Sequence, residues 1–284
     1  LLVVVGGKDA TAQRAEVEAA PLVLDGTLEA FAAVQGVALQ TPRQRFGSAV
    51  VGNRVYVVGG SDANGGTLGS VEMATLDPGG VPGPFSVVQG VTLVTPRRGA
   101  AVLRAAGRLY VVGGENGNTP RQDVEVSTLS ADGTPGPFTV VPNILLNTAR
   151  SDFAAVATPR GLFVIGGRNG NTYLATVERT PVNPNGALGP FENVGGAPLP
   201  GPRAYGAAFL AGTAGHGVGG MSAVNTTVTA ALVSTLAANG DLGAWMQNGT
   251  LATGRRMPAV ARSGGWAYVI GGNDGTNPLS SLER

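Results

Sequence analysis

Arginine, glutamate and one histidine are the side chains of this sequence best suited to chemistry. Lys8 is the only lysine among 19 basic residues. The cationic chemistry available is therefore guanidinium chemistry, with fixed charge, planar forks and no proton to give up. Cysteine is absent and His216 is the single histidine. Thiolate nucleophiles, disulfides, Cys-ligated zinc, Fe–S clusters and multi-His metal sites are thereby excluded, and a Ser-His-Asp triad would have only His216 to use. Glu18, Glu72, Glu125, Glu178 and Glu283 could suggest paired carboxylates for acid–base work. They fall on third strands of different units, away from the central axis, and are expected to register the outer strands through hydrogen bonds or salt bridges. Arg43, Arg97, Arg150, Arg203 and Arg255 recur at intervals of 52–54 residues and could form an anion-binding ring. A side chain present in every unit is more simply structural, its fork satisfying loop carbonyls. Arg45, Arg98, Arg168 and Arg256 break the repeat, and with Asn116 and Asp274 they are the candidate ligand-binding residues. The loops Asp62–Gly65, Glu115–Asn118 and Asn273–Gly275 have the oxygen-rich look of calcium loops. They lack the alternating acids and closing glutamate, and Asn, Asp and Gly are ordinary turn residues. No metal and no cofactor are expected.

The elements that must position these residues follow from an internal repeat. A Gly-Gly pair after a Val-rich run occurs six times, at Gly6, Gly59, Gly113, Gly166, Gly219 and Gly271 with the glycine that follows each. The recurring arginine stands 16 residues before the pair. After the pair comes Val-Glu or a variant: Val17-Glu18, Val71-Glu72, Val124-Glu125, Val177-Glu178, Val228-Thr229 and Leu282-Glu283. A glycine-ended turn then precedes an aromatic residue (Phe31, Phe85, Phe138, Phe191, Trp245). Each unit reads as four short strands: a small-residue stretch after the arginine, the apolar run into Gly-Gly, an alternating strand from Val-Glu, and one opening at the aromatic. Asp132-Gly133, Asn185-Gly186 and Asn239-Gly240 supply tight turns between the third and fourth. No segment carries a helical period. Charged residues are only 13% of the chain, and its wealth of Val argues against disorder.

Six four-stranded antiparallel units are the arithmetic of an all-β β-propeller. The unit from Pro96-Arg97 through Gly107-Arg108-Leu109-Tyr110-Val111-Val112-Gly113-Gly114, Val124-Glu125 and Gly136-Pro137-Phe138 resembles a kelch repeat. The resemblance covers residues 1–284 as a single domain, and its style is that of bacterial secreted or surface-type kelch proteins. It implies that ligands or partners sit at the loop face around the central channel. The expected blades have small residues lining the axis (Gly47–Val51, Gly99–Leu103, Ala154–Ala157, Ala207–Leu210, Pro258–Ala261) and Phe85, Phe138, Phe191 and Trp245 packed between blades. The first blade lacks an inner strand and the sixth an outer one, so the chain is expected to be part of a longer polypeptide. His216, in the slot of Tyr56, Tyr110, Phe163 and Tyr268, reads as a half-buried substitute in a degenerate fifth unit flanked by Gly215 and Gly217.

The second-to-third and fourth-to-first loops share one face. That face gathers Arg43, Arg45, Arg97, Arg98, Arg121, Arg150, Arg168, Arg203, Arg255, Arg256 and Lys8 against Asp9, Asp62, Glu115, Asp123, Asp152 and Asp274. The expected function is non-enzymatic binding or scaffolding of a protein or glycan partner, favouring acidic peptides or anionic glycans. The alternative is a carbohydrate-active enzyme of the kelch type, akin to a sugar epimerase. A net charge of +1 argues against a nucleic-acid partner. The longest apolar runs are far too short to span a membrane. A monomeric, extracellular or cell-surface propeller is expected.

Overall fold

A computed structural model describes residues 1–284 and contains strands but no helix. Six antiparallel sheets form the blades of a propeller. Blades 2 to 5 have four strands each, in sequential order. In blade 2 these are Gly47–Val51, Arg54–Val58, Ser70–Thr75 and Ser86–Thr92. Blade 3 uses Ala101–Ala105, Arg108–Val112, Asp123–Thr128 and Thr139–Leu145. Blade 4 uses Ala154–Thr158, Gly161–Ile165, Val177–Thr180 and Glu192–Asn193. Blade 5 uses Ala207–Ala211, Ala214–Val218, Ala230–Leu236 and Leu242–Thr250. Blade 1 has three strands (Leu2–Lys8, Gln13–Ala20, Ala32–Ala38) without an inner one. Blade 6 also has three (Ala259–Ser263, Trp266–Ile270, Leu282–Glu283), without an outer one. Short hairpins within the second-to-third loops of blades 3 to 5, such as Glu115–Asn116 with Thr119–Pro120, were not legible from strand patterning.

The core lies between blades. Phe85 packs with Val17, Leu39 and Val57 across blades 1 and 2, and Phe138 with Tyr56, Val58 and Leu109 across blades 2 and 3. Phe191 and Trp245 repeat the arrangement further round. All four are at most 5% exposed, and burying each large side chain contributes about 1.5–3 kcal/mol. Inner strands approach closely at the axis: a Cβ on Gly47 would lie 2.2 Å from Val102 Cγ2.

One hydrogen bond marks successive blade contacts. Tyr56 Oη donates to the Gly133 carbonyl at 2.9 Å and Tyr110 Oη to that of Gly186 at 2.6 Å. The ring closes the same way, with Tyr268 Oη of blade 6 donating to Gly26 O of blade 1 at 2.8 Å. Blade 4 has Phe163 in the tyrosine slot, and there Thr158 Oγ1 reaches Gly240 O at 2.9 Å instead.

Two expectations for the fifth unit need correction. Strand register places Leu232, not Thr229, opposite Gly217, the position where Val57, Val111 and Val164 face Glu72, Glu125 and Glu178. Nor are Gly215 and Gly217 signs of decay. A Cβ on Gly215 would lie 2.9 Å from Leu242 Cδ2, and one on either glycine would touch the Trp245 ring at 3.4 Å. Both glycines are thus packed against the indole that stands in the slot phenylalanine fills elsewhere. His216 is half-buried and stacks on Phe209 with centroids 4.9 Å apart. Burial holds its pKa below the usual imidazole value.

Candidate binding site at the channel mouth

The recurring arginines are fully buried except Arg203, which is partly so. Each fork closes the connector onto its own blade. Arg43 Nη1 donates to Gly59 O at 2.9 Å, and its Nη2 pairs with the Glu72 carboxylate. Glu72 also accepts the backbone N–H groups of Gln40 and Thr41, at 2.7 and 3.1 Å. Arg97–Glu125, Arg150–Glu178 and Arg255–Glu283 repeat the scheme. Arg203 finds only the carbonyls of Gly219 and Ala230, at 3.1 and 2.8 Å, because Leu232 holds the carboxylate slot. Burial accordingly depresses the Arg203 pKa without a compensating anion. The glutamates thus register connectors as well as strands, and they revise the charge of the loop face. Four of its ten arginines are neutralised from the third strands. Six arginines and Lys8 then face the six loop acids, so the broad basic excess read from the sequence shrinks to about one charge.

Two residues beyond each arginine the backbone turns left-handed. Arg45, Gly99, Asp152, Tyr205 and Met257 have φ of 53, 62, 57, 59 and 53°. Left-handed backbone is uncommon for non-glycine residues, and here it serves a ring. The N–H groups of Gly99, Asp152, Tyr205 and Met257 each donate to the carbonyl of the counterpart one blade earlier, at 2.6–2.8 Å. Five backbone positions are thereby fixed around the channel mouth, four of them bearing side chains.

On this ring Arg45 reaches across Gly99 to Asp152, with Nε to Oδ1 at 2.8 Å and Nη2 to Oδ2 at 2.6 Å. Its Nη2 also meets Glu115 Oε1 at 2.8 Å. Arg98 Nε donates to Glu115 Oε1 at 2.9 Å. Arg168 bridges the same carboxylates, Nε to Asp152 Oδ2 at 2.9 Å and Nη2 to Glu115 Oε2 at 2.7 Å. Ser151 Oγ donates between them. The guanidiniums of Arg45 and Arg168 lie over the Tyr205 ring, 5.8 and 5.5 Å from its centroid, a cation–π arrangement. Desolvation would raise the pKa of Glu115, but Arg45 and Arg168 outweigh it and hold the carboxyl below its ordinary value. Burial would likewise lower that of Arg45, and Asp152 and Glu115 reverse the sign. Burial and the Asp152 charge push the Tyr205 hydroxyl up to about 12, so it keeps its proton.

The structure brings together three of the six sequence-derived candidates, Arg45, Arg98 and Arg168. The others stand apart from that network. Arg256 Nε donates to Asn273 Oδ1 at 3.1 Å. Asn116 Oδ1 accepts from Thr67 Oγ1 at 2.8 Å. Asp274 Oδ1 caps its own turn through the N–H groups of Thr276 and Asn277, both at 2.7 Å. Asp62 does the same for Asn64 and Gly66. Glu115, Asp152 and Tyr205 complete the site; the sequence places the two acids on this face without marking them as ligand-binding, and it does not single out Tyr205.

Comparison with protein families matches three segments, residues 42–73, 96–126 and 149–179, to the Kelch motif. These segments are kelch repeats. Each begins one residue before the buried arginine and ends one residue after the glutamate that pairs with it. The kelch segments of blades 2, 3 and 4 also hold all three clustered arginines and both carboxylates. Tyr205 comes from the next unit. No curated protein matches the chain.

Proposed function

We propose that this kelch propeller is a non-enzymatic binding module that recognises a protein partner through the channel-mouth face. One observation carries the reading: three guanidiniums share two buried carboxylates at the mouth. Held by fixed ion pairs and a backbone ring, these side chains lose little freedom on contact, which favours recognition. Arg45, Arg98 and Arg168 are each 12–17% exposed, so an edge of each fork faces solvent. Loops on a rigid scaffold are where binding residues concentrate.

The test is a protein and glycan array probed with wild type, an Arg45/Arg98/Arg168→Ala variant and a Leu24→Glu variant. Leu24 lies fully exposed at a turn between third-type and fourth-type strands, on the opposite face. Thermal unfolding of each variant checks that it is folded. Protein ligands lost by the triple variant and kept by Leu24→Glu support the reading. Equal binding by all three, or loss only in Leu24→Glu, overturns it.

A further inference from the structure

The mouth is chemically divided. In blades 2 to 4 the residue after Gly-Gly is Ser61, Glu115 or Arg168, and in blade 5 it is Met221. Three positions further on, Asn64, Asn118 and Asn171 give way to Val224. On the left-handed ring, Arg45, Gly99 and Asp152 are followed by Tyr205 and Met257. Three polar-to-apolar replacements therefore fall on one side of the channel; Met221 among them is buried beneath Arg256, which with Asn273 is the polar pair of that side. Val224 and Met257 are left 64% and 41% exposed. Tyr205 is the boundary, with two guanidiniums over its ring and its carbonyl bonded to the Met257 N–H.

The charged half is not fully satisfied. Arg45 uses Nε and Nη2 for Asp152 and Glu115, while its Nη1 donates to nothing in the chain. That nitrogen is open to solvent, since the single buried polar side-chain atom without a partner is Trp245 Nε1. Three guanidiniums against two carboxylates also leave one positive charge. That open nitrogen suits one carboxylate, which would receive a charge-assisted bond there.

From this we infer that the mouth takes a peptide in which one acidic side chain stands beside a bulky apolar one. The carboxylate is received by Arg45 Nη1 and the excess charge of the arginine cluster. The apolar group covers Val224 and Met257 on the far side of Tyr205. The inference rests on the binding-module reading above and narrows it to a ligand class. A uniformly acidic segment would leave the apolar half bare, and a sugar would leave it poorly covered.

The experiment measures fluorescence anisotropy with three labelled hexapeptides of glycine around a central pair: glutamate–leucine, glutamine–leucine and glutamate–serine. The first is expected to bind, and the other two to bind about tenfold more weakly or worse, as loss of a charged hydrogen bond or of apolar cover implies. Arg45→Met should erase the preference for glutamate over glutamine. Because that substitution also strips a partner from Asp152, Met257→Glu serves as the second variant. It removes no hydrogen bond, places a like charge at the mouth, and should abolish glutamate–leucine binding. Equal affinity for glutamate and glutamine, equal affinity for leucine and serine, or indifference to Met257→Glu overturns the inference. If no hexapeptide binds while whole protein ligands remain sensitive to the triple arginine variant, the ligand class is wrong and the binding-module reading stands.

Discussion

Arg45 on blade 2 and Asp152 on blade 4 form a two-bond ion pair across the intervening blade, passing over Gly99. The glycine is what permits it. A Cβ at position 99 would sit 2.5 Å from Asp152 Oδ1 and 3.0 Å from Arg45 Nη2, on backbone whose φ is 62°. The pair therefore depends on a residue that makes no side-chain contact of its own.

Gly99→Ala should accordingly destabilise the fold by roughly 1–3 kcal/mol, from the positive φ and the displaced ion pair together. Urea unfolding measures it. Gly117→Ala is the control, since a Cβ there meets nothing within 4 Å although its φ is also positive. A cost at Gly99 no larger than at Gly117 would show that the pair needs no such clearance.

The recurring arginines divide into two kinds. Arg150→Met strands the buried Glu178 carboxylate, and uncompensated buried charge costs about 3–5 kcal/mol. Arg203→Met removes bonds to two carbonyls and leaves no anion behind, for which about 1–3 kcal/mol is expected. Paired denaturation curves decide between them. An Arg203 variant as damaging as the Arg150 variant would contradict the distinction.

Much of the fold was legible because the repeat is in phase: arginine, Gly-Gly, turn and aromatic each recur at equivalent positions, and short strands, most of them of five to seven residues, fall between them. The site was legible only in part. Arg45, Arg98 and Arg168 stand out as departures from the repeat. Their partners do not, because Arg45 meets Glu115 and Asp152 at separations of 70 and 107 residues. No local pattern encodes a contact between blades. The glutamate slot of blade 5 was misread for a related reason: Val228-Thr229 resembles Val-Glu in sequence, whereas strand register selects Leu232.

The interblade aromatics give a graded test. Phe138→Ala should cost about 3–5 kcal/mol, as expected for a large buried ring. Trp245→Phe should cost much less, because it relieves the unpaired Nε1 and restores the residue used in other blades. Adding Gly217→Ala to Trp245→Phe should recover stability, with a coupling of roughly 0.5–3 kcal/mol in a double-mutant cycle. Additive effects would mean that the glycines do not accommodate the indole.

Acid should loosen the mouth. The folded-state pKa of Glu115 lies below its ordinary 4.5. Its stabilising contribution is complete above that value and is lost as pH falls through the lower folded-state pKa. Asp123, beside Arg97 and Arg121, is depressed below 3.8 and adds to the loss in the same direction. Urea midpoints followed downward from neutral pH should fall below pH 4.5 more steeply in wild type than in Glu115→Gln. Parallel profiles would contradict the role given to Glu115.

The most direct measurement blocks one face at a time. The chain has no cysteine, so Met257→Cys at the mouth and Leu24→Cys on the opposite face can each carry a single bulky maleimide-linked polymer. Binding of the glutamate–leucine hexapeptide is then titrated calorimetrically. Blocking at position 257 should abolish the heat of binding, and blocking at position 24 should leave it unchanged. Retained binding with the mouth blocked, or loss with the opposite face blocked, would contradict the assignment of the channel mouth as the binding site.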